Sequence, residues 1–148
     1  MISELEFSMQ NVFQLAKIEK ECFGRDAWSI QALIGEFNNS FSHVFACEKD
    51  GKIVGYACVT YEEAQMCNVA VLPRHRREGI ATDLMDTVAK FAKESGCTRA
   101  ELEVNVKNLP AIELYRKCGY KEEGIRKNFY RKSRYESRDA YTMVLSLI

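Results

Sequence analysis

Apolar positions recur along the chain with two periods, and the switches between them mark out its elements. From Asn11, residues Val12, Leu15, Ile18 and Cys22 fall at three- and four-residue steps, predicting an amphipathic helix that ends at Gly24, with Lys17, Glu19, Lys20 and Glu21 largely facing water. Residues 4–8 alternate as a first strand before it. Ser29 can cap a second helix carrying Leu33, Ile34 and Phe37 and closed by Asn38-Asn39. Trp28, just ahead of that cap, either staples the helix or lines an acceptor site. Residues 44–48 and 53–61 are apolar runs flanking Asp50-Gly51, a hairpin signal.

The rest of the chain is organised around residues 67–84. Asn68-Val69-Ala70-Val71-Leu72 reads as a strand with little exposed surface, which Pro73 ends. A turn with Arg74, Arg76, Arg77 and Gly79 follows, and Ile80, Leu84, Val88 and Phe91 then recur at helical spacing, with Ala81, Met85 and Ala92 on the same face. Gly96 breaks that helix, and residues 98–104 alternate as a strand that a right-handed crossover would lay parallel to the first. Asn108 caps a helix over residues 109–118, with Pro110 in its first turn and Gly119 at its end. Strands over residues 120–129 and 139–147 complete the chain. The expected fold is α/β of the α+β type: a mixed, mostly antiparallel sheet flanked by about four helices, with one parallel pair whose ends at Val71 and Val104 splay apart. A backbone bulge near Val69-Ala70 would free an N–H for a ligand carbonyl.

Composition narrows the classes. The 148 residues suit one domain spanning 1–148, and 21 basic against 21 acidic residues leave no overall positive excess for nucleic-acid binding. Cys22, Cys47, Cys58, Cys67, Cys97 and Cys118 are scattered without ligand spacing, so they read as small core residues of a reduced, cytoplasmic protein, with no metal site expected. Neither a targeting leader nor a run of transmembrane length is expected.

The basic turn carries the first chemistry. Unpaired N–H groups at a helix start, the positive end of the helix dipole and nearby arginines favour a multiply charged anion such as a pyrophosphate. Gly-Lys-Ser/Thr and GxGxxG are both absent, which excludes a P-loop nucleotidase and a Rossmann dinucleotide enzyme. Glu103 lies on the opposite strand face from Leu102 and Val104, where a carboxylate more often faces solvent. Tyr115 on an apolar helix face is more often core, although its phenol needs a partner. Both border the expected cleft.

Arg76-Arg77-Glu78-Gly79-Ile80-Ala81 resembles the R/Q-x-x-G-x-G/A signature of the GNAT N-acetyltransferases. With NVAVLP, with LEV followed by NxxAIxLYxxxGY, and with the terminal RxNFY and RDAYTM, residues 68–147 resemble the RimI-type ribosomal-protein alanine N-acetyltransferases of that family; Trp28-Ser29 resembles a further element. The resemblance implies acetyl-coenzyme A as donor and a protein N-terminus, that of a ribosomal protein, as acceptor. It implies donor contacts by Val69, Ala70 and Val71 of the strand, by Arg76, Arg77, Glu78, Gly79, Ile80, Ala81 and Thr82 of the turn, and by Asn108. It casts Glu103 as general base and Tyr115 as general acid. The chain departs from the group at Ala81, where many relatives have glycine, at Arg138, where they carry a glutamate, and at Arg131, often a proline. A GNAT acting on a small free amine and a noncatalytic acetyl-coenzyme A-binding module are the competing readings. The basic tail argues against the acidic pocket a polyamine would need, and the presence of both Glu103 and Tyr115 argues against loss of catalysis. Cys67 or Cys97 as a nucleophile has no histidine nearby in sequence to support it.

Overall fold

A computed structural model describes the backbone of residues 1–60 and 65–148 and the side chains outside 61–67. Among the described residues seven strands form one sheet, β1 (Ile2–Glu4), β2 (Ser42–Lys49), β3 (Lys52–Thr60), β4 (Gln65–Val71), β5 (Arg99–Asn105), β6 (Lys121–Arg126) and β7 (Ala140–Ser146), in the spatial order β1-β2-β3-β4-β5-β7-β6. Four helices flank it: α1 (Met9–Phe23), α2 (Ile30–Asn38), α3 (Ile80–Glu94) and α4 (Leu109–Lys117). Every neighbouring pair is antiparallel except β4 with β5. The expected fold class is the one observed.

Local chemistry sets most boundaries. Ser8, Ser29 and Asn108 each accept a bond from the backbone N–H three residues on, capping α1, α2 and α4. Asp50 and Gly51 both have positive φ, 52° and 77°, the two left-handed residues that a tight hairpin between β2 and β3 requires. The first strand was expected at residues 4–8, but it spans Ile2–Glu4, because Ser8 is taken by the helix cap and α1 begins at Met9. The strand expected at 120–129 stops at Arg126; Asn128 turns left-handed at φ 53° and donates its N–H to Asp139 Oδ1. Tyr61, expected to end the third strand, lies outside the described residues.

Alternation along β3 places the core on both faces of the sheet. Tyr56 points at α1, bonding Glu19, while its neighbour Gly55 faces Ile80 at the start of α3. The sheet is therefore sandwiched, with Leu15 and Ile18 of α1 buried on one side and Leu84, Met85 and Val88 of α3 on the other. Among the described residues no helix is long and apolar enough to cross a membrane.

The parallel pair behaves differently from the rest. Among the described residues β4 and β5 pair at a single position, Gln65 with Glu101, near the beginning of both strands. Toward Val71 and Asn105 the two strands part, as expected. The expected bulge is displaced, however: Met66 opposes Val59 and Asn68 opposes Cys58, so the extra residue is Cys67, two positions before Val69. The reason is a side-chain brace on Asn68, described below.

Candidate active site at the parted strands

Pairing parity decides which backbone groups of β4 face the gap. Leu72 N–H donates to Val54 O at 2.8 Å, which makes Val71–Gly55 and Val69–Ala57 the pairs without direct hydrogen bonds and Ala70–Tyr56 the bonded one. The N–H and C=O of Val69 and Val71 thus point away from β3, toward the space that β5 leaves. Some of these groups already have partners. Val71 O accepts from Cys22 Sγ at 3.3 Å and from Arg76 Nε at 3.2 Å, and Val69 N–H donates to Asn68 Oδ1 at 3.0 Å. Val71 N–H and Val69 O have none among the described residues. Ala70, bonded toward β3, is buried.

Beyond Val71 the chain makes a short 3-10 turn at Pro73–His75 and then two left-handed residues, Arg77 at φ 65° and Gly79 at φ 81°, which aim it into α3. The first intrahelical bond runs from Asp83 N to Gly79 O, so the N–H groups of Ile80, Ala81 and Thr82 have no helical partner. No side chain caps this turn, in contrast to the other three helices. Glu78 would oppose an anion here, but Lys49 neutralises it in an ion pair and holds its carboxyl below the usual range. Gly55 brings the helix start close to the sheet: a Cβ there would lie 3.0 Å from Ala70 O and 3.2 Å from Ile80 Cγ2. The result is a dense set of N–H donors with Arg76 and Arg77 beside it, which fits a pyrophosphate. Asn108 is more remote in role, since its Oδ1 is spent on capping α4 through Ala111 N–H at 3.4 Å. Its amide nitrogen has no partner among the described residues.

Across the gap, Glu103 stands on β5 between buried Leu102 and Val104 and is itself half-buried. Tyr115 is 9% exposed on α4, and burial pushes its phenol well above the ordinary range, so it is protonated at neutral pH. Its hydroxyl makes no hydrogen bond among the described residues. Tyr130, from the segment after β6, couples the two. Burial pushes its phenol up to about 12, with the negative charge of Glu103 adding to the shift, and Tyr130 in turn raises Tyr115. Glu103 thus stands on the strand that parts from β4, while Tyr115 and Tyr130 come from α4 and from the segment after β6.

This arrangement has known counterparts. The profile described as the acetyltransferase (GNAT) family matches residues 9–120. The chain belongs to the GNAT family. A Bacillus subtilis protein named as a candidate [ribosomal protein bS18]-alanine N-acetyltransferase is 32% identical over 125 residues, 82% of each chain. The crystal structure of the ribosomal-protein-S18-alanine N-acetyltransferase from Escherichia coli superposes with a TM-score of 0.85 at 25% identity, covering 99% of this chain and 94% of that one. An aminoglycoside 6'-N-acetyltransferase solved with coenzyme A shares the fold, with a TM-score of 0.84 at 16% identity over 100% of this chain and 97% of its own. This GNAT protein is an acetyl-transferring enzyme.

Three features of the acetyltransferase were missed by reading its sequence. Glu19, expected to face water, is 0% exposed. It accepts from Trp28 N–H at 2.8 Å, from Tyr56 Oη at 2.6 Å and from Asn68 Nδ2 at 2.5 Å, while burial pushes its carboxyl up. This brace ties α1, β3 and the approach to α2 to the residue after the Cys67 bulge, and so sets where the bulge falls. The signal was present: Leu15, Glu19 and Cys22 share a helix face at four- and three-residue steps. Asn105 and Arg134 were also missed, and no local pattern marks either. Cys97 lies before β5, a strand's length from Glu103, and the side chain of Cys67 is outside the described residues.

Proposed function

We propose that this GNAT enzyme acetylates the N-terminal α-amine of a protein, an N-terminal alanine of a small-subunit ribosomal protein being the acceptor its relatives' names support, and that residues 1–148 act as one domain in the cytoplasm. The observation that supports the reading is the parting of β4 and β5, which among the described residues pair at Gln65 with Glu101 and then diverge ahead of the uncapped start of α3, with Glu103 two residues further along β5. Acetyl-coenzyme A, when bound, supplies an acetyl group as an activated thioester.

The chain's own groups account for the rest. Ile80, Ala81 and Thr82 N–H with Arg76 and Arg77 hold the pyrophosphate, Glu78 being neutralised by Lys49. Val71 N–H and Val69 O, which face the gap, orient the chain of the donor as donor and acceptor respectively, and the Val71 N–H can stabilise negative charge that develops on a carbonyl oxygen. A protein α-amine has a pKa of about 8 and is mostly ammonium near neutral pH, so it cannot attack until a base takes its proton. Glu103 accepts that proton, directly or through a water. Tyr115, whose phenol is protonated at neutral pH, donates its proton to the departing sulfur as that sulfur gains negative charge.

The test is thiol release from acetyl-coenzyme A with a peptide beginning Ala-Arg, and in parallel with spermidine and free amino acids. Turnover with the peptide, with mass added at its α-amine, is expected; turnover confined to small amines would overturn the acceptor assignment. Glu103→Gln should depress transfer most strongly below the amine pKa while leaving coenzyme binding intact, and a variant equally active at every pH would remove Glu103 from the reaction.

A further inference from the structure

The gap between the parted strands is bridged by a chain of contacts drawn from three distant parts of the sequence. At the end of β4, Val71 O accepts from Cys22 Sγ at 3.3 Å. Cys22 lies in the last turn of α1, and its own carbonyl accepts from Arg134 Nη1 at 2.7 Å. The backbone N–H of Arg134 reaches Asp26 Oδ2 at 2.9 Å. Next to it, Ser133 Oγ accepts from Asn105 Nδ2 at 3.0 Å, and the same amide reaches Ser137 O at 2.8 Å. Asn105 is the last residue of β5, so the contacts run from the end of one parted strand to the end of the other. They form an arch over the end of the gap.

Arg134 is its keystone. The guanidinium lies 5.6 Å from the centroid of Phe23 and 5.2 Å from that of Tyr135, whose hydroxyl it also bonds at 3.1 Å. Its bond to Cys22 O is charge-assisted and sits at the negative end of the α1 dipole, where a cation is favoured. Arg134 itself is exposed, so these contacts, and no filling of the core, account for its placement. The segment it fastens carries Tyr130, whose phenol the negative charge of Glu103 raises, and Tyr135. Asn105 fastens the same segment two residues along β5 from Glu103.

We propose that Arg134 is a positioning residue for the acceptor: by closing the arch between α1 and the segment before β7, it holds the wall against which the incoming amine is oriented, and it takes no part in holding the donor. This rests on the acetyl-transfer reading of the gap, and it adds a determinant on the acceptor side alone.

The experiment compares wild type, Arg134→Ala and Arg134→Lys by steady-state kinetics with acetyl-coenzyme A and the Ala-Arg peptide, together with thermal melts. Loss of a charge-assisted bond and two stacking contacts should raise the peptide KM about tenfold in Arg134→Ala, with the acetyl-coenzyme A KM held within about twofold and the melting midpoint little moved. Arg134→Lys should recover part of the loss, since an ammonium keeps the charge and one donor and lacks the fork and the flat stacking face. An unchanged peptide KM would overturn the proposal, as would peptide and acetyl-coenzyme A constants rising together. If wild type turns over only a small amine, the N-terminal reading fails separately, and the same comparison with that amine still decides the role of Arg134.

Discussion

Glu19→Gln separates the buried brace from a carboxylate merely tucked under a helix. The native carboxylate receives three donors and no cation, with one oxygen, Oε2, taking both Tyr56 Oη and Asn68 Nδ2. Glutamine keeps the volume and keeps an oxygen for Trp28 N–H, but it sets an NH2 against the other two donors. Tyr56 can turn its hydroxyl to accept, whereas Asn68 Nδ2 loses its carboxylate and keeps only Tyr56 Oη at 3.2 Å. A buried donor stripped of its partner costs about 1–3 kcal/mol, so the variant should lose about 2–4 kcal/mol at neutral pH. For a chain of this size that is a fall of about 5–15 °C in melting midpoint. Tyr56 shares Oε2 with Asn68 and is the partner on which Asn68 Nδ2 falls back in Glu19→Gln, so in a double-mutant cycle with Tyr56→Phe the two changes should be non-additive by about 1 kcal/mol or more. Burial raises the Glu19 carboxyl in the folded state, so its stabilising share is complete below the ordinary carboxyl range and is lost as pH rises through the raised value. Wild type should therefore exceed Glu19→Gln by more at about pH 4 than at about pH 7. Chemical denaturation at both pH values measures this. A variant within about 0.5 kcal/mol of wild type, or additive with Tyr56→Phe, would refute the brace.

Gly55→Ala places a methyl 3.0 Å from Ala70 O, 3.1 Å from Val71 Cγ2 and 3.2 Å from Ile80 Cγ2, so the start of α3 must give way. The expected cost is about 1–3 kcal/mol, with the acetyl-coenzyme A KM rising more than the acceptor KM; a change in the acceptor constant alone would contradict the placement of the donor on α3. Tyr115→Phe breaks no hydrogen bond among the described residues and should leave the melting midpoint nearly unchanged, while kcat falls about a hundredfold or more. An unaltered kcat would reduce Tyr115 to a core residue.

Much of the fold was legible because its boundaries are set by neighbours in sequence. Ser29, Asp50-Gly51 and Asn108 act within three residues of themselves, and each did what its type predicts. Where the reading slipped, a second local preference competed with the first. Ser8 ended an alternating run yet serves as a cap, and Asn128 stopped β6 three residues short by taking a left-handed turn that any strand pattern would overlook. The bulge slipped for a different reason. Its position at Cys67 depends on Asn68 reaching Glu19, 49 residues earlier, and a single glutamate on an amphipathic helix gives no sign of such a partner.

The same distinction divides the site into two halves. The proposed donor side is one continuous stretch, β4 through the first turn of α3, so strand, turn glycine, arginines and uncapped N–H groups could all be read in place. The proposed acceptor side is assembled from the end of α1, the end of β5 and the segment before β7, joined by bonds such as Arg134 to Cys22 across 112 positions. Its residues are of ordinary types, and only their meeting gives them a role. A fold that keeps its donor site local and its acceptor wall non-local can change one without disturbing the other: substitutions at 131–138 leave the helix start at Gly79 untouched. The departures at Arg131 and Arg138 fall in that acceptor segment, where Arg138 bonds Asn128 Oδ1 and Arg131 O. The kinetic separation of peptide from acetyl-coenzyme A constants in the Arg134 variants is where that independence should show.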